Sequence, residues 1–370
     1  VVGGGQLARM IALDAARLGV DVRVLAGAAD EGVRGLFTVV DGDHDDPAAL
    51  RRLADRVDVV TFDHELVPLH VVMHLEGQGV VVRPSSATLA FADKLHQRRE
   101  LAAAGLPVPP FAEVNTRDAV EAFGDAHGWP LVLKAPHGGY DGRGVAVVAS
   151  AAEATDMLQA AAGRALLVEP HLALRQELAV LVVTAVDGQR QTYAPVESVQ
   201  VDGMCREVHA ARGHLPGGLA AGAVTLAEQV ADAVGSIGVL AVELFVVDNA
   251  DGTPLLLVNE IAPRPHNSGH HTIDACITSQ FENHARAVLG WPLGSVAQRD
   301  SASVMVNVIG TAGDPRDRVP RVDPDVKIHL YGKTSRPGRK IGHVTVVGPD
   351  HAQAAARARA AAAVLENQDG

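Results

Sequence analysis

Aromatic side chains are scarce, at 3% of the chain, and cysteine occurs only at positions 205 and 276. Two cysteines far apart and outside any CxxC arrangement support neither a disulfide framework nor a thiolate zinc site, so two buried small side chains are expected. Basic residues are the minority, 32 Lys and Arg against 44 Asp and Glu, for a formal charge of −12. That balance argues against a general nucleic-acid binder, whose phosphate-facing surface is basic, and any anionic substrate must meet local positive charge. No apolar run is long and uninterrupted enough to span a bilayer, and no signal-peptide pattern precedes the first motif. A cytoplasmic protein with no membrane or nucleic-acid partner is therefore expected. Val1-Val2 before Gly3 is too short to stand alone as a strand, which points to residues upstream.

What is abundant is Ala, Val and Leu, within a 47% hydrophobic fraction that suits helices packed on sheets. At 370 residues the chain exceeds what one core usually organises, so two or three domains are expected. Residues 1–25 read as strand, glycine turn, helix over 6–18 and second strand, a βαβ unit. Short apolar strands at 57–62 and 79–84 continue the parallel pattern, and the first domain ends near Ser86. A helical stretch over 88–104 runs into GLPVPP, and two strands then flank the glycine loop of KAPHGGYDGRGVAVV. After a helix near 151–162, an antiparallel sheet begins, with Asp187-Gly188 as a hairpin turn. A helix over 225–237 precedes two strands joined by DNADGTP and ending in a polar loop. Three strand-like runs and an Ala-rich helix over 352–366 suggest a small closing domain.

Several segments carry chemistry. Gly3 to Gly5 before a helix suit either a phosphate cradle or a tight turn, but the glycine spacing is degenerate and no acidic residue stands at the ribose position, which disfavours NAD. Lys134 followed by Gly139, Tyr140, Asp141, Gly142, Arg143 and Gly144 pairs a strand lysine with a flexible loop able to enclose phosphates; a lysine that merely snorkels is the bland alternative. Glu169 and Glu177 are uninformative alone, because exposed carboxylates on strands are common. Glu243 and Glu260 lie at matching places on successive strands, so both could face one Mg²⁺ with nucleotide phosphates, and Asn259 adds an oxygen. The run from Asn259 to His271 is too polar for a core. Its histidines lack the helical spacing of a zinc protease, whereas Arg264 with the donors that follow could hold a small planar carboxylate. Lys333, Arg339 and Lys340 suit a phosphate-bearing ligand, while Arg336 fits a solvated loop equally well.

Taken in order, GGGQL, TFDHELVP, GGYDGRG, EPHLALRQELAV, NEIAPRPHNSGHH and YGK with RKIGH resemble the 5-(carboxyamino)imidazole ribonucleotide synthetase family over nearly the whole chain. The resemblance implies an α/β and α+β architecture, the ATP-grasp fold with an N-terminal βαβ domain over 1–87, an ATP-grasp domain over 88–290 with its glycine-loop subdomain at about 108–172, and a C-terminal domain over 291–370. It further implies that Lys94, Lys134 and the loop from Gly139 to Val145 contact ATP, that Glu169, Pro170, His171 and Leu172 form the adenine hinge, and that Glu177 meets ribose. Gln200 stands where many relatives carry histidine. Glu243, Asn259 and Glu260 would form the Mg²⁺ site. Tyr140, Asp141, Arg143 and Glu65 would face 5-aminoimidazole ribonucleotide, with its phosphate on Lys333, Arg339 and Lys340. Arg264, His266, Asn267 and Ser268, with Lys340, would hold bicarbonate or carboxyphosphate. Asp63 replaces a frequent glutamate and Leu66 a frequent asparagine. A homodimer is expected from the resemblance. The rivals are a formate-using transformylase or biotin carboxylase of the same fold, a non-catalytic nucleotide-binding module, and a nicotinamide oxidoreductase.

Overall fold

The computed structural model describes residues 1–138 and 144–367. Its N-terminal part pairs strands β1 (Arg23–Ala26) and β2 (Thr38–Asp41) in parallel. Val2 bridges Leu25 and Phe62, and Val60 bridges Val82, all in parallel. The runs expected as strands at 57–62 and 79–84 thus contribute single bridges rather than ladders. Their valines still enter one apolar cluster with Leu50, Leu53 and Leu75. The helix after the triple glycine, Gln6–Arg17, ends one residue before its expected end.

The helical stretch expected over 88–104 is broken in three: Ser86–Leu89, a 3₁₀ turn Ala90–Ala92, and Lys94–Ala103. Asp93 is the reason. Its backbone is extended, and its side chain accepts the His96 N–H, so it caps a new helix. The break makes Lys94 the first helical residue, and Lys94, Gln97 and Arg98, spaced i, i+3 and i+4, are buried on one face.

The glycine-loop subdomain is a four-stranded antiparallel sheet of β3 (Ala112–Val114), β4 (Leu131–Lys134), β5 (Val145–Val148) and β6 (Leu166–Pro170), in the order β3-β6-β4-β5. Beside it the helix expected over 151–162 is shorter, Thr155–Ala161. The large sheet has nine strands: β7 (Leu174–Thr184), β8 (Arg190–Thr192), β9 (Val196–Val201), β10 (Met204–Ala211), β11 (Gly238–Asp248), β12 (Pro254–Ala262), β13 (Ala302–Ile309), β14 (Lys327–Leu330) and β15 (Lys340–Gly348). Its order is β12-β11-β7-β9-β10-β13-β15-β14, with β8 beside β7. The three C-terminal strands therefore continue this sheet through the β10–β13 ladder instead of forming one of their own. The Ala-rich helix His351–Glu366 packs its alanines on β13 and β15.

The helix expected over 225–237 starts earlier, as Gly217–Val234. It covers one face of β7, β11 and β12 through Val230 against Leu178, Val180, Val242 and Val246. Strand alternation then turns Ala241, Glu243 and Phe245 to the opposite face, where they line a cavity.

Candidate active site

That cavity has a volume of about 990 Å³ and is lined from all three parts of the chain: Gly5, Gln6 and Glu65, then β4, β6, β11 and β12, then Lys340. Glu243 and Glu260 are direct partners across the β11–β12 ladder, and a β-bulge follows, because Leu244 pairs with Val258. Asn259 is the extra residue of that bulge, so Asn259 and Glu260 both reach the cavity although they are adjacent in sequence. Two carboxylates directly opposite repel each other. Burial, then Glu260 and Glu177, push the Glu243 carboxyl up to about 7.

Cations surround this pair. Lys94 bonds Glu260. Lys134 Nζ lies 2.5 Å from Glu169 Oε1 and donates to Asn259 Oδ1 at 3.1 Å. Arg98 Nη2 donates to the other oxygen of Glu169 at 2.6 Å, and the same guanidinium donates to the carbonyls of Val258 at 2.6 Å and Asn259 at 3.1 Å. Nothing local in the sequence marks Arg98, an arginine inside a helix with partners that are all distant in the chain. Its guanidinium ties β6 to β12. Pro170, His171, Leu172, Glu177 and Gln200 also line the cavity, with His171 N–H bonded to the Pro130 carbonyl at 3.0 Å. Burial raises the Glu177 carboxyl, against the pull of Lys134. Gly144 accepts from Ala135 N–H at 2.8 Å, and Val145 pairs with Lys134 in the ladder. Gly139, Tyr140, Asp141, Gly142 and Arg143 lie outside the described residues.

The polar loop after β12 stands opposite. Arg264 grips Glu65 through both carboxylate oxygens, the second at 3.0 Å. Burial opposes ionisation of Glu65, but the Arg264 guanidinium overrides it and holds the carboxyl at about 2. Burial, reinforced by Arg264 and Lys340, lowers His266 to about 3, so its ring is neutral. His266 Nδ1 meets the Ser268 hydroxyl at 2.9 Å and accepts the Ser268 N–H at 3.4 Å, which leaves the proton on Nε2, 3.4 Å from Glu243. Gln280, fully buried, accepts the His266 N–H and donates to the His266 carbonyl. Ser268 is buried and Asn267 lines the cavity.

The C-terminal basic residues divide. Lys340 lines the cavity; Lys333 bonds Gln6, which also lines it; and Arg339 pairs with Glu31 at 3.0 Å. Arg336 is exposed and 3.9 Å from Glu31. Asp63, which stands where relatives often have glutamate, is buried, accepts Gly5 N–H at 2.8 Å and lines the cavity. Burial raises its carboxyl.

Two lysines, an opposed carboxylate pair and the polar loop from Arg264 thus line one cavity, and all three parts of the chain that build it match known families. The ribonucleotide synthetase preATP-grasp domain matches residues 1–93, the ATP-grasp domain 99–281, and the phosphoribosylaminoimidazole carboxylase C-terminal domain 303–357. The N5-carboxyaminoimidazole ribonucleotide synthase of Mycobacterium tuberculosis is 47% identical, over 98% of this chain and 86% of that one. The chain belongs to the N5-carboxyaminoimidazole ribonucleotide synthase family. Its fold is therefore the ATP-grasp fold with a preATP-grasp domain before it and the family's C-terminal domain after it. As a member of this synthase family it is an ATP-dependent ligase. Corynebacterium ammoniagenes has a synthase 41% identical over 99% of this chain and 91% of its own. Among solved structures, the Thermus thermophilus synthetase superposes with a TM-score of 0.86 at 37% identity, covering 99% of this chain and 98% of that one. The Aspergillus clavatus synthase, solved with ADP and 5-aminoimidazole ribonucleotide, does so with 0.87 at 32%, with the same coverage. Among the described residues no helix is long and apolar enough to cross a membrane.

Proposed function

We propose that this chain uses ATP and bicarbonate to carboxylate the amine of 5-aminoimidazole ribonucleotide, giving the carboxyamino ribonucleotide, ADP and phosphate, a step of purine biosynthesis. The observation that carries this reading is the convergence on one cavity of Lys94, Lys134 and the Glu243–Glu260 pair with the Arg264–Glu65 pair and Lys340. In this reading Lys94 and Lys134 neutralise the ATP phosphates, Glu169, Pro170, His171 and Leu172 meet adenine, Glu177 meets ribose, and Gln200 lies alongside. The loop from Gly139 to Val145 covers the phosphates. Glu243 and Glu260, with Asn259, would hold Mg²⁺, and the donor set fits, since like charges opposed across a ladder and a carboxyl near 7 call for a cation. Bound there, Mg²⁺ would neutralise phosphate charge.

A bicarbonate oxygen attacks the γ-phosphorus, the bond to the β-phosphate oxygen breaks, and carboxyphosphate and ADP result. Arg264, His266, Asn267, Ser268 and Lys340 hold the bicarbonate and its phosphorylated product. The substrate amine then attacks the carboxyl carbon, directly or as released CO₂, phosphate leaves, and the amine proton is lost. Glu65, Tyr140, Asp141 and Arg143 orient the ribonucleotide, whose phosphate meets Lys333, Arg339 and Lys340. Exclusion of water protects carboxyphosphate from hydrolysis. The reading also takes the chain as three units, 1–87, 88–290 and 291–370, supported by family matches at 1–93, 99–281 and 303–357, and as a cytoplasmic homodimer.

The test is ADP release from ATP, Mg²⁺ and bicarbonate, with and without 5-aminoimidazole ribonucleotide. Strong stimulation with formation of a labile carboxylated product is expected. Turnover indifferent to the ribonucleotide would leave an ATP-grasp ligase with a different acceptor.

A further inference from the structure

Asn307 lies on β13 one residue beyond the last β10–β13 ladder pair, Glu207 with Val306. Between Cys205 and Glu207 the register of β10 against β9 shifts, so the Cys205 carbonyl falls outside the β13 ladder. The Asn307 side chain takes its place. It is 0% exposed, and its Nδ2 donates to the Cys205 carbonyl at 2.9 Å. The same Nδ2 donates to Asn267 Oδ1 at 2.7 Å, while Asn267 Nδ2 donates back to Asn307 Oδ1 at 3.0 Å.

This reciprocal amide pair has a defined polarity. A carbonyl only accepts, so the end of Asn307 that faces Cys205 must be its nitrogen. The assignment propagates: Asn267 must present its oxygen to that nitrogen and its nitrogen to Asn307 Oδ1. Asn267 cannot flip without opposing donor to donor and acceptor to acceptor. Asn307 is itself held from behind, since Arg206 Nη1 donates to its carbonyl at 2.6 Å and the Arg206 guanidinium pairs with the buried Glu366 at the end of the last helix. Asn267, which lines the cavity, therefore has one N–H and one Oδ1 lone pair not committed to Asn307, and its amide plane is set.

We infer that Asn307 is a positioning residue for bicarbonate capture, acting through Asn267 by fixing which end of that amide faces the anion. The inference rests on the bicarbonate role proposed for Asn267. It places part of the control of carboxylation on a C-terminal strand that does not line the cavity.

A double-mutant cycle tests it, with Asn267→Ala, Asn307→Ala and the pair assayed by ADP release in the presence of ribonucleotide. Asn307→Ala should raise the KM for bicarbonate about three- to tenfold, the worth of one neutral hydrogen bond, with the KM for ATP unchanged. The double variant should be no worse than Asn267→Ala alone, because the second change removes an effect already lost. Multiplicative losses in the double variant, or an Asn307→Ala protein with native bicarbonate KM beside an impaired Asn267→Ala, would overturn the inference. An Asn267→Ala protein with native bicarbonate KM would instead remove the reading beneath it. Should Asn307→Ala fail to fold, Asn307→Ser, which keeps a donor for Cys205, serves in the same cycle with the same expectations.

Discussion

Replacing Glu243 by Gln should make the magnesium-free protein more stable while destroying its ATP turnover. Glu243 and Glu260 are ladder partners, and the Glu243 side chain is 26% exposed. A carboxyl held at about 7 rather than 4.5 costs the folded state about 3 kcal/mol once ionised, at about 1.4 kcal/mol per pH unit. The sign follows from proton counts. Between pH 4.5 and 7 the unfolded chain has lost the proton that the folded carboxyl keeps, so stability falls as pH rises, and the whole penalty is present above 7. Gln keeps the shape and carries no charge. In chelator at pH 8 the variant should melt on the order of 5 °C above its parent, with the two converging below pH 5. Mg²⁺ with ADP should raise the melting temperature of the parent far more than that of the variant, because only the parent keeps the charge that repays binding. Thermal unfolding followed by circular dichroism reads both effects. A variant less stable than the parent in chelator, or one stabilised equally by Mg²⁺ and ADP, would refute the reasoning.

Other consequences are as direct. Arg98→Ala strands Glu169 with Lys134 alone inside a region where Arg98 is 3% exposed; urea unfolding should show a loss of about 3–5 kcal/mol, and a change below about 1 kcal/mol would mean the pair is replaceable. Lys134→Ala should raise the KM for ATP about tenfold or more in steady-state assays, with Arg98 keeping Glu169 in place. His284 is fully buried against Thr61, and burial lowers it to about 3, so its contribution to stability is complete above pH 6.5 and is lost as pH falls toward 3. His284→Gln should flatten that acid limb, seen as a smaller drop in urea midpoint between pH 7 and 4.5.

Much of the site was legible because its residues sit in short runs whose composition has no structural use. Lys134 with its glycine loop, Glu243 and Glu260 around a turn, and the loop from Arg264 to Ser268 all announce themselves as too polar for the places where periodicity puts them. Arg98 and Asn307 were not legible. A lone arginine in a helix and a lone asparagine in a valine-rich strand match ordinary surface or filler positions, and only their partners, more than a hundred residues away for Cys205 and Asn307, reveal their use.

Strand and helix periodicity, the hairpin turns and the ordered motifs are properties of local sequence, and they determined the class of fold, the family and most candidate residues. The break at Asp93 that aims Lys94, the bulge that turns Asn259 and Glu260 into one cavity, and the joining of β13–β15 to the large sheet were decided by the tertiary structure. Each depends on how strands from distant segments register and on which buried polar groups find partners, and those are energies of contact that no local window of sequence contains.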